Sequence, residues 1–107
     1  MKVIVDNQEI ELKFANSFFK RLKGFMFLKE INYCLCFKTN NIHTFFMKEN
    51  IDIVMTNKNN QVLYIFKNTK KNKIIIKKNV YYTYEFPSNF INNLNIGDKL
   101  KVINKKK

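Results

Sequence analysis

Ile51-Asp52-Ile53-Val54-Met55-Thr56, then Asn57-Lys58-Asn59-Asn60, then Gln61-Val62-Leu63-Tyr64-Ile65-Phe66: this run decides how the chain is read. Two segments rich in β-branched and aromatic residues flank a polar turn with no apolar side chain, the pattern of a β-hairpin. It is the clearest hairpin in the sequence. Asp52 stands out in it, an acid set between two isoleucines.

Working outward, the same alternation of short apolar runs and polar turns recurs. Lys2 to Val5 and Glu9 to Phe14 are strand-like and joined by Asp6-Asn7-Gln8; Ile10, Leu12 and Phe14 alternate there with Glu9, Glu11 and Lys13. Tyr33 to Phe37 is apolar on both faces and should lie centrally. Ile42 to Met47 and Lys73 to Lys78 read as further strands. Val80 to Phe86 alternates Val80, Tyr82, Tyr84 and Phe86 against Tyr81, Thr83 and Glu85, and Leu100 to Ile103 closes the series. Two short helices are expected. One is capped by Asn16 or Ser17, with Phe18, Phe19, Leu22 and Phe25 at helical spacing and Gly24 at its end; the other is a single turn from Ser88 through Asn93. Seven to nine strands with two small helices describe a mainly β fold, a β-sandwich or barrel-like single domain spanning 1–104, with 105–107 a frayed basic tail.

Composition sets outer bounds. A chain of 107 residues supports one core, and 46% hydrophobic residues argue against disorder. Only two glycines and one proline are present, so turns must lean on Asn and Asp, which tolerate left-handed backbone. The net charge is +12, and 19 of the 20 basic residues are lysine, with Arg21 alone. Lysine supplies solubility and non-specific attraction to polyanions. Sequence-specific readers of bases prefer the planar fork of arginine. Met1-Lys2-Val3-Ile4-Val5 runs straight into Asp6 and Asn7 without an export-signal pattern, and no apolar run approaches the roughly 20 residues of a membrane span. With only Cys34 and Cys36, neither part of a disulfide framework, the expected location is cytoplasmic.

Three groups of residues could carry chemistry. His43, the only histidine, lies nine residues before Asp52; in contact, the acid could orient the imidazole as a general base. The alternative is that Asp52 accepts hydrogen bonds and pins a turn, with His43, Thr44 or Arg21 as donors. Cys34 and Cys36 would put both sulfurs on one strand face, but with His43 they make at most three soft ligands, so no metal or other cofactor is expected. Their apolar neighbours place them in the core. Finally, Lys70, Lys71, Lys73, Lys77 and Lys78 interleave with Tyr81, Tyr82 and Tyr84, an arrangement that could hold a polyanion or single-stranded nucleic acid. The other reading is a solvated loop beside an edge strand that uses lysine to resist pairing.

Several motifs, in order, resemble the family known as domain of unknown function 192. Arg21-Leu-Lys-Gly24-Phe-Met26 is similar to the opening R-x-x-G-[LF]-M of that family. Ile42-His43-Thr44-Phe45-Phe46-Met47 followed by Ile51-Asp52-Ile53-Val54 is similar to one branch's I-H-T-F-x-M and I-D pair, and Ile96-Gly97-Asp98 to its closing G-D. The resemblance covers roughly Phe14 to Val102. It implies a compact, mainly β domain with Arg21, Gly24, His43, Thr44, Met47, Asp52, Gly97 and Asp98 at motif positions, and no established activity. The chain departs from that branch at Glu49-Asn50, where Phe-Pro is common, at Thr39, where a cysteine often stands, and in lacking a Pro-Trp-Arg-like segment after the hairpin. The expected function is a binding or accessory module of unknown ligand and partner. A small enzyme using His43 with Asp52 and a weak polyanion binder through 67–78 are the alternatives.

Overall fold

A computed structural model of the chain describes residues 1–14, 32–44, 49–70 and 72–103, apart from the side chain of His43. Nine strands are formed: β1 Lys2–Val5, β2 Gln8–Phe14, β3 Cys34–Phe37, β4 Asn41–His43, β5 Ile51–Thr56, β6 Val62–Thr69, β7 Ile74–Ile76, β8 Tyr82–Pro87 and β9 Lys101–Ile103. Seven of them make one sheet in the order β6-β5-β8-β3-β2-β1-β9, and β4 pairs with β7 in a separate two-stranded ribbon. All pairings are antiparallel except β2 with β3. The sheet curls until its ends approach. The Val62 amide donates to the Asp98 carbonyl at 2.7 Å, the Gly97 amide to the Val62 carbonyl at 2.8 Å, and the Leu100 amide to the Asn60 carbonyl at 2.9 Å.

Side-chain alternation along these strands creates two apolar layers. On one face lie Val3, Val5, Leu12, Cys34, Cys36, Val54, Tyr84 and Phe86, with Ile91 and Leu100 brought in from the chain beyond β8. On the other lie Leu35, Phe37, Ile51, Ile53 and Met55, covered by Ile42 of β4 and backed by Ile75 of β7. β3 and β5 are buried along their whole length, which explains why their sequences are apolar on both faces. The expected strands are therefore present with shifted ends, except that the expected Ile42 to Met47 strand is seen only as far as His43, its last three residues lying outside the described residues. β6 is the main surprise, running to Thr69, three residues past the hairpin's apolar run.

The turns follow from the scarcity of glycine. Among the described residues, seven other than glycine have positive φ, and each is Asp or Asn: Asp6, Asn7, Asn60, Asn68, Asn72, Asn79 and Asn89. Asp6 and Asn7 form the two-residue turn between β1 and β2, both at positive φ as such a hairpin requires. Asn57 stabilises the β5–β6 turn by accepting the amides of Asn59 and Gln61 on its Oδ1.

The first expected helix lies outside the described residues. The second is not formed. From Ser88 to Asn93 the chain is turn and bend, because its donors are engaged elsewhere. The Ile91 amide donates to Asp52, the Asn92 and Asn93 amides both donate to Asp6 Oδ2 at 2.6 and 3.0 Å, and the Ser88 hydroxyl donates to Asn68 Oδ1. Three consecutive amides held by two carboxylates leave no helical ladder to build.

Asp6 thus holds the segment after β8 while sitting in a left-handed turn. Asp6→Ala is expected to destabilise the protein by about 1–2 kcal/mol, through the loss of two exposed hydrogen bonds, which water replaces in part, and the poor fit of alanine to positive φ. Urea denaturation measures this, and Asp6→Asn should lose less, since it keeps an acceptor and the turn preference.

Candidate functional site

The geometry around Asp52 starts from strand register. Ile51 pairs with Thr69 and Ile53 with Phe66, so Lys67 and Asn68 together oppose the single residue Asp52. This is a β-bulge, with Asn68 at φ 54° as its left-handed residue. The fully buried Asp52 carboxylate fixes it: Oδ1 accepts the Asn68 amide at 2.7 Å, and Oδ2 accepts the Ile91 amide at 2.9 Å. Both oxygens are held by main chain. Of the donors the sequence offered first, Thr44 bonds the Lys70–Lys73 loop instead, and Arg21 and the His43 side chain lie outside the described residues.

The bulge lengthens β6 and turns Lys67, Asn68 and Lys70 toward β7. Thr44, fully buried, holds the far side. Its hydroxyl donates to the Lys70 carbonyl at 2.8 Å and accepts the Lys73 amide at 2.9 Å. Its main chain exchanges bonds with the same loop, its amide donating to the Lys73 carbonyl at 2.9 Å and its carbonyl accepting the Asn72 amide at 3.2 Å. Between the two anchored elements lies a cleft of about 570 Å³, lined by Ile65 to Lys70 and by Lys73, Ile74 and Ile75. Its floor is aliphatic and aromatic, and Lys67, Lys70 and Lys73 stand around it. That volume falls within the range of small-ligand sites.

The residues singled out by sequence divide as follows. Asp52 and Thr44 frame the cleft; Lys70 and Lys73 line it. Lys78 is exposed on the turn after β7. Lys77 has its ammonium 5.3 Å from the Tyr64 ring centroid and 5.7 Å from that of Phe66. Gly97, at φ 99°, and Asp98 form the turn before β9, where Asp98 Oδ2 accepts the Asn95 amide at 2.9 Å. His43 contributes main chain to β4, opposite Ile74, while Arg21, Gly24, Met47 and Lys71 lie outside the described residues. The tyrosines do not form a stacking platform: Tyr84 is buried, Tyr82 is half-buried, and Tyr81 alone is exposed.

Two features escaped the sequence. Lys67 lines the cleft although the hairpin pattern ended at Phe66; the signal would have been the bulge, which no periodicity marks. Glu85 is 2% exposed on the face of Leu35 and Ile53, and its Oε1 has no hydrogen-bond partner among the described residues. Burial pushes its carboxyl up to about 8 from the ordinary 4.5. The cysteines lie where their neighbours placed them, in the core. Burial raises the Cys34 thiol well above its usual range, with Cys36 and Glu85 adding to it. Burial also pushes Cys36 up to about 12, against a smaller opposite effect from its bond with Tyr84. Both stay protonated at neutral pH and are poor nucleophiles. Tyr84 is likewise raised, by burial first, and its hydroxyl donates to Asn60 Oδ1 at 2.5 Å.

Fold and site together define a small, mainly β domain with a lysine-rimmed cleft beside β6 and β7. The chain belongs to the DUF192 family, described as "Uncharacterized ACR", whose model matches residues 1–102. The match extends through β1 and β2, beyond the motifs that carried the resemblance. The UPF0127 protein of Thermococcus sibiricus is 32% identical over 98 residues, which are 83% of this chain and 64% of that relative. This chain therefore spans under two-thirds of that protein. The UPF0127 protein of Pyrococcus furiosus is 33% identical over 101 residues, 86% of each chain. A protein of unknown function from Novosphingobium aromaticivorans shares the fold, with a TM-score of 0.79 at 16% identity over 94% of this chain and 82% of its own. The family has no established activity. No helix among the described residues is long and apolar enough to cross a membrane.

Asp52→Asn is expected to destabilise the fold by about 1–3 kcal/mol, since an amide side chain can accept from only one of the two main-chain donors and turns an N–H toward the other. A melting temperature equal to wild type would show that the carboxylate does not hold the bulge.

Glu85 makes stability depend on pH in a definite sense. Its folded pKa lies above its unfolded one, so its contribution is fully present below about pH 4.5 and is lost as pH rises toward about 8. Stability should fall across that window by at most about 5 kcal/mol. Glu85→Gln should remove that slope and be the more stable form above pH 8. Chemical denaturation of both proteins at a series of pH values reads the difference directly.

Proposed function

We propose that this chain is a binding module for anionic ligands, and that the cleft between β6 and β7 is where they bind. One observation carries the reading: Lys67, Lys70 and Lys73 converge on an apolar-floored cleft whose two walls are each fixed by a buried side chain, Asp52 on one side and Thr44 on the other. A site held in place before the ligand arrives loses little entropy on binding. The surrounding charge supports the same sign of ligand. From Ile53 to Tyr84 the chain has seven lysines and no Asp or Glu. Lysine ammonium groups attract phosphate as point charges and do not read bases, so the ligand class is anionic groups on a backbone or a small molecule rather than a particular nucleotide sequence. The half-buried and buried tyrosines weigh against base stacking as a main term.

Catalysis by His43 with Asp52 has less support, because Asp52 is fully buried and each of its oxygens already accepts a main-chain amide. The cysteines, protonated and buried, offer no alternative nucleophile.

The test is a salt-dependent titration of the whole chain with short polyphosphate and with a single-stranded RNA oligomer, followed by fluorescence anisotropy. Binding should weaken steeply with salt. In the triple variant Lys67→Gln, Lys70→Gln, Lys73→Gln, the slope of log affinity against log salt for RNA should shrink by about 2, as three neutralised contacts require. An affinity in the variant equal to wild type would move the site elsewhere. No saturable binding at low salt would end the proposal.

A further inference from the structure

The ribbon of β4 and β7 has two unlike faces. Ile42 and Ile75 point inward and pack on the layer formed by Leu35, Phe37, Ile51 and Ile53. By strand alternation Ile74 and Ile76 point the other way, and they are 64% and 65% exposed. Their cross-strand partners are His43 and Asn41. Isoleucine is among the side chains most often buried, and single exposed examples need no account. Two on one face of a three-residue strand are different, because they form a protruding apolar edge. Exposed Lys70, Lys73 and Lys78 flank it, and the nearest acids in sequence are Asp52 and Glu85, both buried.

We propose that this outward face of β7 docks on an anionic lipid bilayer surface, with Ile74 and Ile76 entering the headgroup–acyl boundary and Lys70, Lys73 and Lys78 meeting lipid phosphates. The chemistry matches in both components. An interfacial anchor needs apolar side chains that reach past the headgroups and cations that stay among them, which is the alternation Lys73-Ile74-Ile75-Ile76 followed by Lys77-Lys78 presents. Each lysine held near an anionic leaflet raises partition about fivefold, and each isoleucine transferred from water adds about tenfold or more. A protein partner fits less well, since a stable interface needs about 1,000 Å² of complementary surface and the apolar part here is two side chains wide. The ribbon is also held rigidly, by the two Thr44–Lys73 bonds and by Ile42 and Ile75 in the core, so docking requires no reordering of the chain.

This surface shares Lys70, Lys73 and Ile74 with the anion cleft, and Ile76, Lys78 and Lys67 tell the two apart. Ile76 does not line the cleft, and Lys67 lines it from β6. The experiment is co-sedimentation of the whole chain with vesicles of phosphatidylcholine alone and of phosphatidylcholine with phosphatidylserine. Partition onto the mixed vesicles and weak partition onto neutral ones are expected. Ile76→Ser should lower the partition about tenfold, with circular dichroism unchanged because the side chain is exposed, and should leave polyphosphate affinity as in wild type. Lys67→Gln should do the reverse, weakening polyphosphate binding more than vesicle binding. Absence of sedimentation with mixed vesicles at low salt would overturn the inference. So would a partition unchanged by the double substitution Ile74→Ser, Ile76→Ser, which would reduce the effect to the net charge of the chain.

Discussion

The structure depends on a buried carboxylate whose partners among the described residues are main-chain amides. Asp52 lies on β5, between β6 and β8, on a strand buried along its full length, and its two oxygens take one amide from β6 and one from the segment after β8. A carboxylate suits the place because it accepts from two directions at once and lacks a donor that would itself need a partner. What it fixes is a bulge, which adds one residue to β6 opposite Asp52, beside the Lys67 that lines the cleft. Without it, the buried Ile91 amide would be orphaned and the Asn68 amide left to water, a loss that matters against the small net stability of a domain this size.

The same chemistry recurs at lower cost around the surface. Asp6 takes the amides of Asn92 and Asn93, and Asp98 takes that of Asn95, so three aspartates organise the chain from Ile91 to Asp98 without a helix. Left-handed backbone, which glycine would ordinarily supply, is supplied by asparagine. This is a consistent solution for a chain with two glycines: Asx side chains both tolerate the conformation and bond the turn they create. Thr44 extends the logic to the lysine-rich loop, where one hydroxyl serves as donor to Lys70 and acceptor from Lys73. Few residues in that loop are buried. Its position depends on that hydroxyl and on the adjoining main-chain bonds.

Much of the fold was legible because strand alternation is a local signal. The β1–β2 and β5–β6 hairpins, the doubly buried β3 and the Asn- and Asp-based turns could be read from a few adjacent residues. What could not be read was whatever depends on distant partners. Ser88 to Asn93 looks like a capped helical turn until Asp6 and Asp52, dozens of residues away, claim its amides. Glu85 looks like the wet side of an alternating strand; only its place between β3 and β5 shows that both faces are covered. For the site, the lysines were visible and the cleft was not. The cleft is made by a register shift opposite Asp52 and by a clamp at Thr44, and neither leaves a periodic trace. His43 was conspicuous for being unique, which is a property of composition and not of geometry.

The buried acids also shape the electrostatics of the exposed lysines. An acid near a cationic cleft would ordinarily cancel part of its field. Here the two acids that bound the lysine-rich span in sequence are removed from that role by different means. Asp52 keeps its oxygens inside the sheet, facing amide dipoles that neutralise much of its charge locally. Glu85, with its carboxyl pushed up to about 8, carries its proton through most of the neutral range and so contributes little negative charge. Glu49, exposed three residues before Asp52, is left to offset part of the field, and exposed charges more than about 8 Å apart are largely screened at physiological salt. From Ile53 to Tyr84 the lysines have no acid among them. Asp52 and Asp6 are given over to holding main chain, so the span that carries the cleft and β7 is itself purely cationic.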